Sequence, residues 1–417
     1  MNYKIGIIAD DFTGANDSGV QLAKKGFLTS VRIELNEETD ITTKDVLVID
    51  TDSRSLEPSE AFERVQKAAQ FMLHSGYSHV YKKIDSTLRG NIGVEILAIE
   101  KVYKPDLVVI VPAFHKMGRT TKEGHHYIND ELITKTEFAK DPKTPVNESY
   151  IPNLLYRQVG KRAQVFTAGI LQGADEDFLR RLGSGDNWIV CDVEKESDFE
   201  IILKAFLKTS LKIVWVGSAG LIEYLPSSLG LEAYSPKIAK QSIGKTLTIS
   251  GSLSSVTRDQ LNEAEHLPNT YTLKVDVREL LMQSIDMEFI LSELRGHSEV
   301  DHFLIYIDSS SRNHAGESSL PSWQISKKIV QGLGEIALAI CEEFVSVNGL
   351  VLTGGDTAKA VCSELGVREM ELITEVAPGL PFGRLIGYKR EVWAVTKAGG
   401  FGTKDSLVHA LQLLKGK

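Results

Sequence analysis

Short Val- and Ile-rich runs alternate along this chain with longer stretches whose apolar residues recur at helical spacing, and that alternation restricts the fold more than any other feature. Runs that are apolar at nearly every position suit strands buried on both faces, which requires helices on both sides of a mostly parallel sheet. In the first half the strand candidates are Tyr3–Ala9, Val46–Asp50, His79–Ile84, Leu107–Val111, Asn187–Val190 and Ile213–Val216. Helix candidates between them are Ala15–Gly26, Glu57–His74, Gly93–Val102, Ser197–Leu207 and Ser218–Leu225. The pattern predicts an α/β fold.

One hydrophobic core rarely grows past about 250–300 residues, so a chain of 417 residues is expected to form two domains. Pro226, Gly230, Pro236 and Gly244 interrupt a stretch without apolar periodicity, and the boundary is placed there. This gives a domain over 1–235, a linker over 236–245 and a second domain over 246–417. After the linker, strands are expected at Thr246–Ser250, Thr270–Val275, His302–Ile307, Gly349–Thr353, Leu372–Val376 and Val392–Thr396. Helices are expected at Ser255–Glu265, Ser284–Leu294, Trp323–Val347, Thr357–Leu365 and Asp405–Leu414. Two lobes, each a mostly parallel sheet flanked by helices, with the active site in the cleft between them, is the expected architecture. The polar segment Gly118–Asn153, broken by Asp141, Pro142, Pro145 and Pro152, reads as a long active-site or interface loop.

A net charge of −9 argues against a nucleic-acid partner, which calls for a basic face. No run approaches the roughly 18 apolar residues of a membrane span. Met1–Ile8 enters a strand-like run at once rather than forming a signal peptide. Cys191, Cys341 and Cys362 lie far apart without a paired spacing, so neither a disulfide framework nor a zinc knuckle is indicated. A reducing cytoplasm is the expected compartment, and a homodimer the base-rate assembly. His125 and His126 are adjacent and point apart in any regular element, so no protein metal site is assigned.

Two motifs in the first half carry charged groups at strand ends. In Ile7–Asp17 a buried strand runs into Asp10 and Asp11, then Thr13-Gly14 and a helix. Ligands of open parallel sheets gather at such ends. The paired carboxylates could accept from hydroxyls, deprotonate one, or hold Mg²⁺; the alternative is that Asp11 or Thr13 caps the helix. In Tyr81–Asn91, Lys82 and Lys83 sit inside a strand, where an ammonium is costly unless it meets an anion. A substrate carboxylate could be that anion, with Arg54 as a second clamp and Asp85 placed as a base; the alternative is an ion pair of Lys83 with Asp85 or Asp52. His115, Lys116 and Arg119, after another strand end, are read as lining the substrate mouth.

In the second half three strand-to-helix turns are rich in small residues: Ile249–Thr257, Leu352–Ala358 and Lys397–Asp405. Glycines let backbone N–H groups approach a phosphate, and a helix N-terminus adds partial positive charge. No P-loop signature accompanies them. Pro378–Gly383 is a further turn-rich run, read as shaping a corner.

Ala9–Ala15, Lys82–Gly90, Gly118–Thr121, Asp141–Pro145, Thr353–Thr357 and Lys397–Gly402 together resemble, in order and over nearly the whole chain, the four-carbon acid sugar kinase family. The resemblance implies a substrate-binding N-terminal domain and an ATP-binding C-terminal domain. Acid-sugar contacts would fall on Asp10, Asp11, Arg54, Lys82, Lys83, Ile84, Asp85 and Ser86. ATP contacts would fall on Ser252, Ser254, Gly354, Gly355, Asp356, Thr357, Gly399 and Gly400; at Asp356 many relatives carry Glu. The family divides into kinases of D-threonate, D-erythronate, L-threonate and 3-oxo-tetronates, and Asn16–Gly26 resembles the first type most. The expected reaction is transfer of the ATP γ-phosphoryl group, with Mg²⁺, to the terminal hydroxyl of a four-carbon acid, with Asp11 or Asp85 taking the proton. A 3-oxo-tetronate kinase, an ATP-free lyase or aldolase, and a non-catalytic sensor of the same acids are the alternatives.

Overall fold

Ile5–Ala9 and Leu107–Val111 are buried at every position, so each needs cover on both faces. They belong to a computed structural model that describes residues 4–35, 44–141, 143–172, 175–231, 243–308 and 320–416. The chain divides into two compact units, Met1–Thr29 with Glu34–Ser235, and Ser30–Ile33 with Pro236–Lys417. Most of the stretch read as a linker, and Tyr3 at the start of the first expected strand, lie outside the described residues.

In the first unit seven strands follow the order Val46–Asp50, Ile5–Ala9, His79–Lys83, Ile213–Gly217, Leu107–Val111, Trp188–Cys191, Gln164–Phe166. Every neighbouring pair is parallel. Ile8, Ile49, Val80, Ile110, Val190 and Val216 join helix residues such as Ile96 and Ile99 in one core. The first helix runs Phe12–Ala23, starting before the expected Ala15 because Asp11 caps it, accepting from Gly14 N.

The segment Gly118–Asn153 is not a loop. Arg119–Lys122, His125–Ile128 and Glu131–Leu132 form an antiparallel three-stranded sheet. Its two reversals are two-residue turns, Glu123-Gly124 and Asn129-Asp130, all four residues with positive φ. That is the backbone such tight hairpins require, and Gly, Asn and Asp adopt it most readily. Asp192 accepts from the backbone N–H groups of Glu123 and Gly124 and so closes the first turn. Pro152, read as a breaker, instead begins the helix Ile151–Val159.

The second unit's strands follow the order Thr270–Val275, His302–Ile307, Lys245–Ser250, Val347–Thr353, Val392–Lys397, Pro381–Ile386, Glu369–Glu375. The first five are parallel, and Pro381–Ile386 runs antiparallel to both its neighbours. The run read as a corner therefore contains a strand, with its proline at the first position, where a missing N–H is tolerated. Residues 30–33, from a four-residue strand over Thr29–Arg32, are counted with this unit; Ser30 and Arg32 both donate to Glu369.

Strand parity governs what the first unit presents. Lys82 and Lys83 are consecutive, so their side chains leave opposite faces of the sheet. Lys82 is fully buried, its Nζ 2.6 Å from Glu95 Oε2 on the helix Ile92–Tyr103. It also donates to the carbonyls of Ile8 and Lys83. Ser53 Oγ donates to the other Glu95 oxygen and lies 2.8 Å from Thr51 Oγ1, which donates to Ala9 O.

Breaking a buried ion pair on one side leaves an uncompensated charge and costs about 3–5 kcal/mol. Glu95→Gln is therefore expected to lower the urea and thermal midpoints by that order. The double variant Lys82→Met with Glu95→Leu should recover most of the loss. A Glu95→Gln protein as stable as the native one would show that the pair imposes no such constraint.

Candidate active site

Ala9 is in register with both Asp50 and Lys83, so three adjacent strands end level. Their carboxyl ends bring Asp10-Asp11, Thr51–Arg54 and Lys83–Ser86 to one edge of the sheet. Arg54 ties these segments together. Its Nε lies 2.7 Å from Asp10 Oδ2, its Nη1 and Nη2 lie 3.0 and 2.6 Å from the two oxygens of Asp11, and Asp85 is 4.0 Å away. Burial opposes its charge, but the three carboxylates outweigh burial and hold the guanidinium above its ordinary pKa. Arg54, expected as a clamp for a substrate carboxylate, thus spends its planar fork on protein carboxylates. Burial also opposes charge on Asp10; Arg54, Lys82 and Lys83 overcome it and hold that carboxyl below its usual range.

The two lysines part company here. Lys82, expected at the substrate, is turned into the core toward Glu95, and Ile84 is a buried core side chain. Lys83 is 5% exposed and has no hydrogen-bond or ion-pair partner among the described residues. A Cβ added at Gly14 would stand 2.5 Å from Lys83 Nζ and 2.6 Å from Asp11 Oδ1. Only a residue without a side chain lets that ammonium and that carboxylate approach from either side.

Asp85 accepts from Thr87 Oγ1 and from Arg89 Nε at 2.6 Å. Burial alone would raise its pKa, but Arg54 and Arg89 hold it far below the usual carboxylate range. The three-stranded sheet and the residues after it brace this corner. Arg89 Nη1 lies 3.1 Å from Asp141 Oδ2, and its guanidinium stacks over Phe138. Asp141 is itself fixed by accepting from the N–H groups of Lys143 and Thr144. His126 Nε2 is 2.8 Å from the Ser86 carbonyl, so that nitrogen carries the proton and Nδ1 accepts from Thr121. Burial lowers His126 to about 4, leaving a neutral ring that pins the Asp85-Ser86 turn. His115 and Lys116 pair with Glu196 and Glu223.

In the second unit the three small-residue turns follow strands that are direct neighbours in the sheet. Ser250 is in register with Thr353, and Thr353 with Lys397. The turns touch. A Cβ on Gly399 would stand 2.5 Å from Ser252 Oγ, and one on Gly251 2.6 Å from Thr357 Oγ1. Gly354 has φ +99° and opens the helix Gly355–Glu364, a conformation only glycine adopts without strain. Ser254 N donates to Ser252 Oγ, and Asp356 is exposed. Gly379 lies beneath the Phe401 ring.

Sequence reasoning did not give Glu95, Asp141, His126 or Lys397 their tasks. Glu95, Asp141 and His126 act through partners set apart in sequence, and Lys397 through the carbonyls of its own turn; no side-chain pattern signals either arrangement. The hairpins were recoverable, since Glu-Gly and Asn-Asp between short runs of Thr, Tyr and Ile are turn signals.

A model of a sugar-binding N-terminal domain matches residues 5–225, and one of a nucleotide-binding C-terminal domain matches residues 247–407. The chain is 33% identical over 431 residues to D-threonate kinase of Salmonella typhimurium, covering 99% of this chain and 98% of that protein. It is 33% identical over 433 residues to D-erythronate kinase of Heliobacterium modesticaldum, covering 98% and 96%. The solved structure of Haemophilus influenzae protein HI1011 superposes with a TM-score of 0.78 at 24% identity, covering 98% and 100%, a likeness of fold.

Asp85 sets an acid limit on the first unit. A carboxylate whose folded pKa is depressed contributes stability above its unfolded pKa, about 3.9, and that contribution is lost as pH falls below it toward the folded value. Asp85→Asn should therefore melt well below the native protein at pH 7, and the gap should narrow as pH drops below about 4. A gap independent of pH between 7 and 3 would contradict this account.

Proposed function

Because the chain belongs to the four-carbon acid sugar kinase family, we propose that it transfers the γ-phosphoryl group of ATP to the terminal hydroxyl of a four-carbon sugar acid, D-threonate or D-erythronate. The observation that carries this reading is Lys83, a nearly buried ammonium without a protein partner among the described residues, beside Gly14 and Asp11. An ammonium so placed calls for an anion, and the carboxylate of the acid fits as its charge-assisted partner. Arg54 then acts as scaffold, holding Asp10 and Asp11 in place rather than meeting the ligand.

Of the two candidates Asp11 is the more accessible to a hydroxyl, and the proton is assigned to it. Its side chain is 26% exposed, against 9% for Asp85 and 4% for Asp10. Asp85, held strongly ionised by Arg54 and Arg89, is a weak base and is better suited to accept a hydrogen bond and orient the hydroxyl. In the transfer the terminal oxygen gains a bond to phosphorus, the bond from phosphorus to the β–γ bridging oxygen breaks, and the hydroxyl proton passes to Asp11.

The second unit's turns fit a polyphosphate. The N–H groups of Gly399 and Gly400 donate to nothing among the described residues, and Ser250 Oγ and Thr353 Oγ1 are buried without partners. Ser252, Ser254, Gly354, Gly355, Asp356, Thr357, Gly399 and Gly400 are the residues that would hold ATP. Bound ATP supplies the phosphoryl group, and its Mg²⁺ offsets charge on the transferring oxygens.

ADP release with Mg-ATP, measured against D- and L-threonate, D- and L-erythronate and their 3-oxo forms, is expected with D-threonate or D-erythronate. Lys83→Met should raise KM for the acid about 10- to 100-fold, the worth of one charged hydrogen bond, with KM for ATP unchanged. Asp11→Asn should cut kcat by about 10²-fold or more. No ADP release above the ATP-only blank with any of these acids would overturn the kinase reading for this panel. Near-native kcat in both Asp11→Asn and Asp85→Asn would overturn the proton-transfer roles.

A further inference from the structure

Lys397 ends the strand Val392–Lys397, is 2% exposed, and meets no carboxylate among the described residues. Its Nζ donates instead to the carbonyls of Ala398 at 2.7 Å, Gly399 at 3.1 Å and Phe401 at 3.2 Å. It also lies 3.3 Å from Thr257 Oγ1, which donates to the Gly399 carbonyl at 2.7 Å. Gln260 Nε2 takes the carbonyls of Phe401 and Thr403 at 3.0 and 2.8 Å. The carbonyls of this turn are thus gathered inward onto one ammonium and two side chains of the helix Ser255–Glu265.

The C=O and N–H of a trans peptide point in opposite directions. With the Ala398 and Gly399 carbonyls fixed inward, the N–H groups of Gly399 and Gly400 face outward, and neither donates a hydrogen bond among the described residues. Successive N–H groups arranged in this way make a concavity for anions. Burial pushes the Lys397 ammonium down to about 7, so its charge is held against a penalty that carbonyl partners alone only partly offset. An anion on the far side of the same peptide groups would complete the compensation. Each ammonium–carbonyl bond also polarises its peptide and strengthens the opposite N–H as a donor.

We propose that Lys397 is a positioning residue for nucleotide binding, gathering the carbonyls of the Ala398–Phe401 turn so that the N–H groups of Gly399 and Gly400 receive a phosphate of ATP. The inference rests on the second unit being the nucleotide site. It adds to that reading a residue that does not touch the ligand.

The experiment is calorimetric titration of the full-length protein with Mg-ADP, alongside KM for ATP and for the acid. Lys397→Met keeps the stem and removes the ammonium. It is expected to weaken Mg-ADP binding and raise KM for ATP about 10- to 100-fold, while leaving KM for the acid within about twofold of native. Equal Mg-ADP affinity in the native and Lys397→Met proteins overturns the inference and leaves the nucleotide reading standing. An equal rise in both KM values also overturns it, since that is the mark of general damage. A native protein that binds the acid but not Mg-ADP overturns the nucleotide reading itself, and the inference with it. Should Lys397→Met fail to fold, Thr257→Val decides. It removes the hydroxyl shared by Lys397 and Gly399 and is expected to weaken Mg-ADP about 3- to 10-fold, the worth of one neutral hydrogen bond; native affinity in Thr257→Val overturns the inference.

Discussion

The arrangement at the first unit's strand ends depends on the buried pair Lys82–Glu95. Both side chains are shut off from solvent; Ser53 donates to Glu95, and Lys82 donates to two backbone carbonyls. A buried pair of this kind adds little net stability over an apolar pair of the same shape. It does set the face on which each residue of the strand lies. A slip by one residue would exchange Lys82 for Lys83 and reverse every side chain of the strand, placing an ammonium opposite apolar core on one face and removing it from Gly14 on the other. The pair therefore makes the register costly to violate, and the register brings Lys83 to the face where Gly14 and Asp11 lie.

Above that floor the acidic and basic groups form a closed lattice. Arg54 joins Asp10 to Asp11, Arg89 joins Asp85 to Asp141, and the weak 4.0 Å approach of Arg54 to Asp85 links the two halves. Side chains paired in this way hold their charges in fixed positions, the kind of preorganisation that electrostatic stabilisation of a reacting group requires. Lys83 stands outside the lattice. It is the group in this corner whose charge the described protein leaves unmatched by any direct contact, which is why the acid is assigned to it and not to Arg54.

The alternation of strand and helix, the Asp-Asp strand end, the Lys-Lys strand and the adjacent glycine turns were all legible, because each is a local pattern with a local physical cause. Two kinds of feature were not. The antiparallel strands Arg119–Lys122, His125–Ile128 and Pro381–Ile386 escaped because their residues do not alternate strongly in polarity and the turn residues beside them were read as breaks. The partners of the charged residues escaped because pairing is a tertiary fact. Nothing near Lys82 in sequence announces Glu95, and nothing near Arg89 announces Asp141. Sequence spacing located the charged groups but could not say which of them pair with each other, such as Arg54 with Asp10 and Asp11 and Lys82 with Glu95.

Lys82 and Lys397 show how one residue type at the end of a buried strand does two different jobs. Each is sunk at its strand's carboxyl end and each donates to backbone carbonyls. Lys82 has Glu95, so its charge is closed within the protein and it serves only to fix the strand. Lys397 has only carbonyls and the Thr257 hydroxyl among the described residues, and burial lowers its pKa to about 7. A carbonyl dipole screens an ammonium less completely than a carboxylate does, and the residual field runs along the peptide groups to the N–H side. The presence or absence of one internal carboxylate thus separates a lysine that holds the fold from one whose charge remains available to a ligand it never touches.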